Sequence, residues 1–76
     1  MTETDYTPID CGFHDQLEAF ATLRVECVIR IREDDGKVRD VTSRIVDVYA
    51  RKGEEFAELE SGETVRLDRL VTVERR

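Results

Sequence analysis

At 76 residues, with charged and apolar side chains each 39% of the total, the chain has room for one domain. Such a domain buries only about 60% of the surface its unfolded form exposes, so its core must be small and closely packed. No apolar run approaches the roughly 20 residues of a membrane-spanning helix, and the N-terminus has neither the basic nor the apolar region of a secretory signal; a cytoplasmic protein is expected.

In chain order, residues 1–10 read as a leader. Pro8 biases Thr7 toward an extended conformation, as in a short strand or tail. A helix is predicted over residues 11–23, because Phe13, Leu17, Phe20 and Ala21 recur at spacings of four, three and one along one side. Asp15 and Glu18 lie three apart on a different side. Asp10 precedes the first turn, where a carboxylate can accept unpaired backbone N–H groups, so it has a capping role as well as a candidate binding role.

From Arg24 the pattern alternates, and residues 24–76 read as strands. In "RVECVIRIR" Val25, Cys27, Ile29 and Ile31 share one face, as a half-buried strand requires. Asp35-Gly36 within "EDDGK" is a hairpin signal leading to a second strand over about Val38 to Ala50. Its apolar phase changes from Val41 and Ile45 to Val46, Val48 and Ala50, which predicts a β-bulge or bend near Ile45 and Val46. "ARKGEE" is the next turn. Strands follow at "EFAELE", with Ala57 and Leu59 inward, and at "ETVRL", with Val65 and Leu67 inward; "DRL" then makes a tight turn into a last strand, "VTVER". The expected fold is mainly β: an N-terminal helix followed by a five-stranded antiparallel meander that curls into a small Sm-like or SH3-like barrel, with the helix covering one open end.

The charge is unevenly divided. Residues 1–23 hold Glu3, Asp5, Asp10, Asp15 and Glu18 against no lysine or arginine, a net −5, whereas residues 24–76 hold 13 acidic and 12 basic side chains, a net −1. A local negative potential of this kind speeds association with a basic partner and disfavours a nucleic-acid ligand. Improved solubility is the competing reason for it.

Catalytic chemistry is not evident. His14 is the sole histidine and Cys11 lies three residues before it on the predicted helix, but no nucleophile–base pair, carboxylate pair in a pocket or phosphate-cradling glycine loop stands out. No enzyme activity and no cofactor are expected. Cys11, His14 and Cys27 are metal-ligating types, yet a structural zinc site needs four ligands at paired spacings, so no metal site is expected. Both cysteines are assigned to reduced, small core positions, and His14 to the helix surface.

The stretch "YTPIDCGFHDQLE", Tyr6 to Glu18, resembles the opening signature of the Rho-binding antiterminator family (Rof), approximately Y-x-P-I-[DN]-C-x-x-Y-D-x-L-E. It matches at Tyr6, Pro8, Ile9, Asp10, Cys11, Asp15, Leu17 and Glu18, and departs at His14, where the family carries tyrosine. The resemblance extends more loosely through "RIVDVYARKGEEFAELESGETVRLDRLVTV". It implies a helix joined to an Sm-like barrel that binds the hexameric helicase Rho, covers its primary RNA-binding site and inhibits termination. By motif position, Asp15 and Glu18 are the first candidates to meet Rho lysines or arginines, followed by Asp10, with His14 as a ring contact and Arg51 and Lys52 matching an Arg-Lys turn; Cys11, Leu17 and Phe20 are assigned to packing. Rho is then the expected partner of a chain that is monomeric when free. Two other readings remain open: an Sm-like RNA-binding module using Arg30, Arg32, Arg44 and Arg66, and a regulatory subunit for another basic partner.

Overall fold

The helix forms where its end signals and its apolar spacing agree. In the computed structural model, which describes residues 7–76, α1 spans Cys11–Leu23. Asp10 caps its start. Its Oδ2 accepts from the backbone N–H groups of Gly12 at 2.9 Å and Phe13 at 3.2 Å, two donors with no partner inside the helix. The other end has no glycine, so Arg24 itself takes the left-handed conformation, at φ 54°, and Arg44 donates from Nε to the Arg24 carbonyl at 3.1 Å.

Leu17 is the helix's fully buried residue, and Phe13, Phe20 and Ala21 pack against the same core. Cys11 does not take its expected core position: it is exposed. It lies about 120° around the helix axis from Leu17, off the buried stripe. The expected leader, a short strand or tail, falls largely on residues 1–6, outside the described residues; Thr7 and Pro8 are not in a strand, and the Thr7 N–H donates to Asp68 Oδ2 at 3.1 Å.

Five strands follow: β1 (Glu26–Arg32), β2 (Val38–Arg51), β3 (Glu54–Leu59), β4 (Thr64–Arg66) and β5 (Leu70–Arg75). They form one antiparallel sheet in the order β4-β3-β2-β1-β5. The chain is a meander only as far as β4. A 3₁₀ turn at Leu67–Arg69 then carries it across to pair β5 with β1 rather than with β4. This is how the sheet curls toward a barrel. β2 belongs to both halves, pairing with β1 through residues 38–44 and with β3 from Ile45 onward, and its register shifts between Ile45 and Asp47, where the phase change predicts a bend.

The inward faces follow the alternation. Cys27, Ile29, Ile45, Ala57, Leu59 and Leu67 are buried to 1% exposure or less and meet Leu17 at the centre. Past the bend the prediction is only partly met. Val48 packs on the core, Val46 is half-buried and Ala50, near the hairpin end of β2, is exposed. Its turn is the two residues Lys52 and Gly53, at φ 52° and 82°, between the paired Arg51 and Glu54. Two positive φ values are what a type I′ hairpin turn requires. No helix among the described residues is long and apolar enough to cross a membrane.

Candidate functional site

The packing of α1 leaves one polar stripe. Counting about 100° per residue from Leu17, His14 lies at the edge of the buried face, Glu18 farther round, and Asp15 almost opposite the core. Asp15 and Glu18 are exposed accordingly, and His14 is half-buried. His14 is thus less of a surface residue than expected, because its ring reaches the sheet. Its Nε2 lies 2.9 Å from Glu55 Oε2 on β3, and its Nδ1 lies 3.7 Å from Glu18 Oε1. The contact seats the start of α1 beside the β2–β3 hairpin, where Arg51 ends β2 and Lys52 opens the turn, both exposed. His14 thus ties the acidic stripe of α1 to β3 near the hairpin end of that strand.

Most of the barrel's carboxylates differ from those of the helix in one respect. On the barrel, eight carboxylates are taken up by arginines: Asp40 by Arg30, Glu33 and Glu63 by Arg39, Glu60 by Arg44, Glu54 and Asp68 by Arg66, Asp34 by Arg69, and Glu26 by Arg76. Hydrogen bonding from Arg30 holds the Asp40 carboxyl below its ordinary range, and bonds to Glu63 and Glu33 raise Arg39. The exposed pairs among them contribute little stability, whereas Arg66 with Glu54 and Asp68 is partly buried. The pairs do cancel the local field. Among the described residues neither Asp15 nor Glu18 has a lysine or arginine partner; the cationic group nearest Glu18 is His14, and only when protonated.

Two further acidic residues join this surface. Asp47 and Glu58 stand directly opposite each other on β2 and β3, an arrangement of like charges that costs stability. Asp47 also lines, with Glu18, Ala21, Thr22 and Val48, a groove of about 310 Å³ between α1 and β2. Counting charge by segment places both in the nearly neutral barrel, so the sequence does not single them out. The signal would have been their pairing across the bulge, which depends on register.

No protein-family model, curated protein or solved structure matches the chain.

The remaining candidates separate. Asp10 is occupied by its cap, which gives a direct test: Asp10→Ala is expected to cost about 1 kcal/mol. Asp10→Ser, which keeps an oxygen cap without the charge, should leave the thermal midpoint near that of the parent. A partner affinity that Asp10→Ser does not change would assign Asp10 to capping alone. The cysteines also divide. Burial pushes the Cys27 thiol up despite Arg75 nearby, so it stays protonated inside the core, while Cys11 is open to solvent. A disulfide reagent should titrate one thiol rapidly in the native protein and a second only after unfolding. Two rapid equivalents would place Cys27 outside the core.

Proposed function

We propose that the chain is a non-catalytic, cytoplasmic inhibitor of Rho-dependent transcription termination, which binds Rho and covers its primary RNA-binding site. The observation that carries this reading is the segregation of charge: Asp15 and Glu18 lack arginine or lysine partners among the described residues, while the barrel's arginines take up eight of its own carboxylates. A surface that holds RNA phosphates is basic, and carboxylates presented on a rigid helix can take the place of those phosphates as acceptors of charge-assisted hydrogen bonds. The antiterminator resemblance falls on the same residues. Leu17 and the flanking Phe13 and Phe20 fix the helix to the barrel, so the acidic stripe is held before any partner arrives. Association is then steered by charge and weakened by salt.

The reading as an RNA-binding module is opposed by the same ion pairs. Three of the four arginines it would use, Arg30, Arg44 and Arg66, already contact carboxylates. Phosphate would have to displace those carboxylates. The deciding experiment is a Rho-dependent termination assay with increasing amounts of this protein. Readthrough rising with dose, with no retardation of RNA in the absence of Rho, is the expected result; termination unchanged at saturating protein would overturn the proposal, and an RNA shift without Rho would favour the module.

A further inference from the structure

Three ligating side chains converge on one point of α1. His14, Asp15 and Glu18 fall within a stripe about 100° wide around the helix axis, with Cys11 inside the same stripe. One ligating atom from each of His14, Asp15 and Glu18 lies within 4.8 Å of the others. A cavity of about 220 Å³ opens beside them, lined by Ile9, Cys11, His14, Asp15 and Glu55.

The His14 ring is oriented from its far side. Nε2 is 2.9 Å from Glu55 Oε2, leaving Nδ1 turned toward Glu18 Oε1 at 3.7 Å. A neutral ring that donates from Nε2 to Glu55 presents an unprotonated Nδ1 to a carboxylate. The ligating atoms of His14, Asp15 and Glu18 are thus grouped on the side of the ring away from Glu55.

We propose that His14 Nδ1, Asp15 and Glu18 bind a divalent transition-metal ion of the zinc type, with Glu55 holding the imidazole from outside. Bonds of about 2.0–2.2 Å to nitrogen and carboxylate oxygen, at tetrahedral angles, place ligand atoms about 3.3–3.5 Å apart. The Nδ1–Glu18 separation of 3.7 Å is close to that spacing, and the Asp15 carboxylate lies within 4.8 Å of both other ligating atoms. Carboxylate, histidine and metal in that order fix the tautomer and raise the basicity of the ligating nitrogen. One imidazole with two carboxylates suits Zn²⁺ and its neighbours better than Mg²⁺ or Ca²⁺, which take oxygen alone. Three protein ligands leave a fourth position for water or an incoming group. The inference stands on these distances and not on the proposed function; because a bound dication would cancel the charge of Asp15 and Glu18, Zn²⁺ and Rho would compete for them in that reading.

The test is to titrate the untagged, metal-free chain with Zn²⁺ near neutral pH by calorimetry, following the imidazole by nitrogen NMR. The chain has a single histidine, so the imidazole signals belong to His14 alone. Binding at one ion per chain is expected, with the Nδ1 resonance moving to a metal-bound position while Nε2 stays protonated. Asp15→Asn with Glu18→Gln should weaken binding by about ten-fold or more, and Glu55→Gln by about ten-fold, each in protein whose circular dichroism is unchanged. An Nδ1 resonance unmoved at saturating Zn²⁺, or an affinity unaltered in the folded double variant, would overturn the site and leave a plain ion pair.

Discussion

Charge reversal of Asp15 and Glu18 together to lysine should abolish the proposed antitermination while leaving the fold intact. Both side chains are exposed, neither packs on the core, and among the described residues neither has a lysine or arginine partner to lose. Substitutions at such positions usually change stability by less than about 0.5 kcal/mol, with a few tenths more for a cation near the start of a helix. Against a basic partner the effect is far larger, because each reversal removes an attraction and adds a repulsion. Like charges brought together across an interface cost several kcal/mol. A combined loss of about 3 kcal/mol corresponds to roughly a hundred-fold weaker binding to Rho. Glu18→Lys should also be compared with Glu74→Lys, an equal change of net charge on β5, outside the helix and hairpin. If long-range charge alone governed binding, the two would weaken it equally; a specific acidic surface requires Glu18→Lys to be much the worse. Parent binding should fall as salt shortens the screening length from about 10 Å at 0.1 M to about 3 Å at 1 M. Equal binding by parent and double variant at low salt would remove α1 from the interface.

The prediction is possible from sequence because two periods are written in the chain. The spacing of Phe13, Leu17, Phe20 and Ala21 sets the helix and turns Asp15 and Glu18 outward, and the alternation from Val25 to Ile31 sets the first strand. The bend in β2 was also legible, since a bulge must move the apolar set from odd to even positions. Long-range partners were not. Nothing local to "LDRLVTV" says that β5 pairs with β1 rather than β4, because that choice is made by sheet closure. Nor does the sequence announce that Glu55 reaches His14, or that Asp47 stands opposite Glu58, since both depend on register across a hairpin. Cys11 was misplaced for a related reason. A small thiol is commonly a core residue, but its angle from Leu17 puts it on the polar stripe.

Leu17→Ala should produce the largest loss of stability and should separate packing from charge. Leu17 has no exposed surface and is the one helix residue fully inside the core, in the same cluster as Ile29, Ile45 and Leu59. Removing its side chain loses the burial of the deleted atoms and leaves a cavity at the helix–sheet junction, a change that costs about 2–5 kcal/mol. In a domain of this size each kcal/mol lowers the thermal midpoint by roughly 4–8 °C, so a fall of about 10 °C or more is expected. The carboxylates of Asp15 and Glu18 are untouched by this change, and net charge is the same. If α1 binds Rho only when docked on the barrel, Leu17→Ala should lose affinity in proportion to the fraction of helix undocked, and cooling should restore it. The charge-reversed protein should instead stay folded and fail to bind at every temperature. Parent-like affinity for Leu17→Ala at a temperature where calorimetry and circular dichroism find the helix detached would mean that the acidic segment acts as a free peptide. The barrel would then have no part in presenting it.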